Sequence, residues 1–95
     1  MNTIQQVAEA FAAGRKGKAG SASTDGRQYV LYNTVIAERI SEKEVRINWG
    51  GFYTATTANH INEILDALGV PVRVSYAKAR DAYQTDFIVY PRVAA

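Results

Sequence analysis

Cysteine is absent from this 95-residue sequence, histidine occurs once and proline twice. Without cysteine there is no disulfide framework, no thiolate nucleophile and no zinc knuckle, and a reducing compartment is permitted. The single histidine, His60, finds no ligand spacing among Glu38, Glu42, Glu44, Glu63, Asp66, Asp81 and Asp86, so neither a metal nor another cofactor is expected. No apolar run approaches the roughly 20 residues of a spanning helix, and the first residues lack the basic flank and long apolar stretch of a signal peptide. The expectation is a cytoplasmic protein without membrane contact. Charge of one sign is scarce too: the net charge of +2 permits nucleic acid or an acidic protein surface as partner and requires neither.

What is present is the balance of a folded domain. Hydrophobic residues make up 47% and charged residues 21%, which argues against disorder. A chain of this length buries roughly 60 to 70% of its unfolded surface, enough for one core, so residues 1–95 are read as a single domain.

The clearest stretch runs from Trp49 to Gly69. Thr57 is placed to cap a helix, and Ile61, Ile64, Leu65 and Leu68 follow at the spacing of a buried stripe that Gly69 ends. Upstream, Gly50 and Gly51 allow a bend that sends Trp49, Phe52 and Tyr53 to different sides. Thr3 and Gln6 form a capping-box pattern ahead of Ile4, Val7, Ala8, Phe11 and Ala12, a first helix that Gly14 stops. Residues 14–23, with Arg15, Lys16 and Lys18 among glycines and serines, read as a flexible basic loop. A brief strand to Thr24, the Asp25-Gly26 turn and residues 27–32 predict a hairpin. Strands follow over 35–40 and 44–49, the latter with Val45, Ile47 and Trp49 on its dry face. Pro71 bars the second helix from continuing. Val72, Val74 and Tyr76 alternate as a strand, and residues 87–90 make the last one. The fold class is α+β: a mostly antiparallel sheet of about five to six strands with two helices packed on one face. The helix stripe is expected on Val45, Ile47, Val72 and Val74.

No catalytic set emerges. His60 lies near Thr54, Thr56, Thr57 and Asn59, but no third residue is spaced to orient its ring, and a histidine in a first helical turn reads as a polar surface or capping residue. The protein is expected not to be an enzyme. The glycine-rich basic loop lacks the preceding strand and the GKS/T ending of a nucleotide loop. Its cations suit the negative end of the first helix instead. Two binding readings stay open. Tyr29, Tyr32, Trp49, Phe52, Tyr53, Tyr76, Tyr83 and Tyr90 with Arg27, Arg39, Arg46 and Arg73 would serve as a stacking platform for nucleic acid, against which Glu38, Glu42 and Glu44 count. The same tyrosines and arginines are interface anchors for a protein partner. Partner-binding candidates are Tyr53 as the exposed anchor, Phe52, Arg27, Tyr29 and Arg46, and the loop residues Arg15, Lys16 and Lys18.

The block YNTVIAERI followed by VRINWGGFYTATTANHINEIL resembles a pattern in small proteins encoded by bacteriophages and prophages. Its carriers are Asn33, Ile36, Ala37, Gly51, Tyr53, Thr56, Thr57, His60, Ile61 and Asn62, within residues 21–69. That family is mostly without assigned activity. The resemblance implies an accessory or anti-defence factor acting in the bacterial host cytoplasm on a host protein complex, such as a CRISPR-type immune effector.

Overall fold

The computed structural model describes residues 3–92. Helix α1 (Ile4–Ala12) starts on the expected capping box: the Gln6 amide donates to Thr3 Oγ1 at 3.3 Å, and the Thr3 amide donates to Gln6 Oε1 at 2.9 Å. It buries Val7, Ala8, Ala10 and Phe11. Six strands follow in a strictly sequential antiparallel order: β1 (Gly17–Ala19), β2 (Ala22–Thr24), β3 (Gln28–Leu31), β4 (Thr34–Ser41), β5 (Glu44–Asn48) and, after the later helices, β6 (Asp86–Val89). Helices α2 (Ala55–Ala67) and α3 (Tyr76–Asp81) separate β5 from β6.

Several sequence expectations need correction. The segment read as a basic loop supplies β1 and the start of β2. Gly17 eases this, since a methyl group there would sit a tight 3.0 Å from the Ala10 side chain, so glycine lets β1 lie this close to α1 without displacing Ala10. Thr54, not Thr57, caps α2. Its side chain accepts from the Thr57 amide at 3.2 Å, and the helix begins one turn earlier than read, which buries Thr57 and Ala58. The strand expected at Val72–Tyr76 does not form. Asn62 of α2 takes up Val74 instead, its Oδ1 accepting from the Val74 amide at 2.7 Å and its Nδ2 donating to the Val74 carbonyl at 3.1 Å. That satisfies in one side chain what a neighbouring strand would have supplied. From Tyr76 the helix-favouring residues Ala77 to Arg80 form α3, a third helix where two were read.

One face of the sheet carries the core. Tyr29, Leu31, Ile36, Ala37, Val45, Ile47 and Trp49 meet Phe11 and the α2 stripe of Ile61, Ile64, Leu65 and Leu68. Val74 packs on this cluster at its margin, whereas Val72 is 48% exposed and does not receive the stripe. Two bulges in β4 adjust the faces. Tyr29 pairs with Ala37 and Val30 with Val35, so Ile36 is the extra residue, and it turns inward beside Ala37. The second, at Ile40, leaves Arg39 opposite buried Val45. Its guanidinium then reaches the carbonyls of Phe11 (3.2 Å) and Ala12 (3.3 Å) and lies 5.5 Å over the Phe11 ring. A cation on the last carbonyls of α1 stabilises its negative end. The sequence had assigned that task to Arg15, Lys16 and Lys18.

Candidate functional site

The connections between strands gather at two ends of the sheet. At one end stand the turns after β2 and β4 and the close of α1. Gly26 of the β2–β3 turn packs on the Gly14 carbonyl, and the Arg39 amide donates to the Arg27 carbonyl at 2.8 Å. Arg15, Lys16 and Arg27, all exposed, therefore share this basic end. Asp25 closes the turn by accepting from the amides of Arg27 (2.9 Å) and Gln28 (2.8 Å), and those bonds hold its carboxyl below the usual range.

The other end holds the β3–β4 turn, the corner between β5 and α2, and the approach to β6. Tyr32 (φ 49°) and Asn33 (φ 64°) are the two central residues of a hairpin that joins Leu31 to Thr34. Both in the left-handed region make a turn whose twist matches the strands, but a tyrosine there is unfavourable. Gly50 (φ 65°) and Gly51 (φ 81°) turn the chain out of β5, and a methyl on Gly50 would come within 2.5 Å of Thr34. The corner thus closes onto the hairpin. Tyr83 (φ 51°) occupies the left-handed position just past α3, where glycine is usual. Three large rings stand free at this end: Tyr32 (66% exposed), Phe52 (58%) and Tyr83 (86%). Between Tyr32 and Phe52 lies an apolar crevice of about 150 Å³, with Leu31, Thr34, Ile36 and Thr57 as its other walls.

The corner keeps the expected place of Trp49 and exchanges those of Phe52 and Tyr53. Trp49 is fully buried, as alternation required, and its Nε1 donates to Gln84 Oε1 at 3.0 Å. Tyr53, read as the exposed anchor, is half-buried. Its ring lies 5.5 Å from Trp49, and its hydroxyl donates to the Gln84 carbonyl. The hydroxyl that was to serve a partner is committed to the fold, and Phe52 is the ring left outside.

Tyr29 is also no surface residue. It is fully buried, edge-on to Phe11 at 6.2 Å, and hydrogen-bonded through its hydroxyl to His60 Nδ1 at 2.7 Å. Burial pushes the Tyr29 phenol up, with the Glu63 charge adding to it, and pushes the His60 imidazole down, so both are neutral. His60, expected on the surface, is thus a core residue. It lies in the same helical stripe as Thr57, Ile61 and Ile64, and that spacing was the signal that could have placed it. Arg46 is exposed on the open sheet face, opposite Glu38 in register and 3.9 Å from Asp86 in an ion pair. Lys18 is exposed on β1 of that face, paired with Ser23. Of the eight candidates, then, Phe52 and Tyr53 mark the aromatic end, Arg15, Lys16 and Arg27 the basic end, Arg46 and Lys18 the open face, and Tyr29 the core. Tyr32, which shares the crevice with Phe52, and Tyr83, exposed just past α3, were not among them.

Among the described residues no three or more His, Asp or Glu are grouped as a metal site would need, and no helix is long and apolar enough to cross a membrane. A family model described as Kyanoviridae Gp96 protein matches residues 2–90, which takes in the first helix and the last strand as well as the block that carries the phage resemblance. No curated protein and no solved structure matches the chain.

Proposed function

The chain belongs to the Kyanoviridae Gp96 protein family, a phage family, and we propose that it is a non-enzymatic accessory protein that binds a host protein complex and inhibits or regulates it. Host immune effectors of the CRISPR type are the target class that the phage resemblance points to. The observation that carries the reading is the aromatic end, where Tyr32, beside Phe52, and Tyr83, just past α3, stand exposed on left-handed backbone. A tyrosine kept in a conformation that glycine adopts more cheaply is there for its side chain, and exposed tyrosine and phenylalanine are anchor material for an interface. The crevice between Tyr32 and Phe52 has no titratable wall apart from the Tyr32 phenol, which favours a docking slot over an active site. The nucleic-acid reading loses Tyr29 and Trp49, which are buried, from its stacking rings, and it keeps the basic end.

The test is recovery of the tagged protein from host lysate with and without nuclease. A protein that is retained after nuclease, and whose affinity falls about 30-fold (about 2 kcal/mol) in Tyr32→Ser and Phe52→Ser while Arg15→Ser and Lys16→Ser leave it unchanged, supports this function. Loss of every partner on nuclease treatment, with binding abolished by the basic-end changes, replaces it with nucleic-acid binding.

A further inference from the structure

We infer that the outer edge of β6 is a contact between two copies of this chain, which pair antiparallel about Ile88 and join their sheets. The two edges of the sheet are finished differently. β1 is three residues long, carries Lys18 at its centre and presses Gly17 against α1, all devices that discourage a further strand. β6 runs Asp86–Val89 in unbroken register on β5, without a lysine or a bulge.

Its backbone groups are free to pair. The Trp49 amide donates to the Thr85 carbonyl at 3.0 Å, so the alternation of an antiparallel ladder makes Phe87 and Val89 the bonded partners of Ile47 and Val45. The amides and carbonyls of Asp86 and Ile88 then point outward, and among the described residues no hydrogen bond reaches them from that side. A groove of about 380 Å³ lies on the helix side of this strand, between Phe87 and the Val72–Val74 segment that Asn62 binds.

The sequence of the edge fits a copy of itself. With the two-fold axis at Ile88, each Ile88 meets its counterpart and they exchange both backbone hydrogen bonds. Asp86 faces Tyr90 and Phe87 faces Val89, so no like charges oppose one another. On the open face this covers Ile88 (37% exposed) and Tyr90 (63%). On the other side, Val89 of the second copy lies beside Phe87 at the apolar wall of the groove. A foreign strand could use the same backbone groups, but the self-complementary register favours a second copy.

Sedimentation equilibrium on the full chain tests this, together with amide exchange by NMR. The expected result is a mass of two chains, with Asp86 and Ile88 amides protected although they face away from β5. Ile88→Pro should give a one-chain mass with an unchanged circular dichroism spectrum, since the Ile88 amide makes no bond to β5. Should the proline variant fail to fold, Ile88→Glu decides the matter: it places a carboxylate opposite Arg46 within the chain but against its counterpart in the dimer. A wild-type protein that stays monomeric with fast-exchanging Asp86 and Ile88 amides overturns the proposal, as does a dimer that survives Ile88→Glu.

Discussion

Both ends of the sheet turn the chain through left-handed backbone, but different residues occupy it. At the basic end those positions belong to Gly14 and Gly26, Asp25 accepts from the amides of its own turn, and Arg39 donates to the last carbonyls of α1. At the aromatic end Tyr32, Asn33 and Tyr83 share them with glycines, and the rings of both tyrosines stand in solvent. A left-handed non-glycine residue costs about 1 to 2 kcal/mol, with asparagine the most tolerant. The basic end is therefore built at low strain, while the aromatic end keeps strained backbone, which the proposed function assigns to its exposed side chains.

The contrast is broken or sharpened by substitution. Trp49→Ala should lower unfolding free energy by about 3 to 5 kcal/mol in denaturant titration. A loss below about 1 kcal/mol would mean that the aromatic end is not anchored on the core. Phe52→Ala should weaken the partner by about 2 kcal/mol and leave stability within about 0.5 kcal/mol, because its ring is exposed. Tyr83→Gly should raise stability by about 1 kcal/mol through relief of the left-handed tyrosine while weakening binding. If stability falls instead, the tyrosine is structural, and the two ends are alike. Replacing Arg15 and Lys16 together by serine should change stability by less than about 0.5 kcal/mol and leave protein binding intact, measured by the same titration and pull-down.

The subtlest effect lies between the ends. His60 is held neutral, with a folded pKa below its ordinary 6.5. The unfolded chain therefore binds the extra proton first. Stability should be fully present above about pH 6.5, fall as the pH drops below it, and level off once the folded imidazole also titrates. His60→Gln, with Tyr29 and Glu63 unchanged, should remove that slope from thermal melts taken across pH 5 to 7.

Much of this architecture is legible in the residues, and the misses have physical causes. The Thr3–Gln6 box, the Val45-Ile47-Trp49 alternation and the α2 stripe are local patterns with one good solution, and each forms. Thr54 and Thr57 are chemically alike, and only the turn of helix burying Thr57 and Ala58 decides which one caps. Val72–Tyr76 alternates as well as any strand here, but strand formation needs a neighbour, and Asn62 satisfies Val74 from a helix. Ile36 and Ala37 are consecutive and both buried, which period-two reading forbids and a bulge allows. At the candidate site, the corner glycines and the Phe52-Tyr53 pair were visible. Which ring faces outward was not, because it depends on the Gln84 carbonyl, 31 residues beyond Tyr53. The strain at Tyr32 and Tyr83 is a backbone property without a compositional mark.

The sequential order of the strands also bears on how the molecule is made. Each strand from β2 to β5 finds its partner in the segment synthesised just before it, so the sheet can extend with the emerging chain and needs few distant encounters. β6 alone waits, because both α2 and α3 must first be translated. During that interval the open edge belongs to β5, whose Val45 and Ile47 are more apolar than anything β1 offers. Until β6 docks, the folding sheet therefore leaves its most apolar strand uncovered, and Asp86–Val89 act as its cover against aggregation.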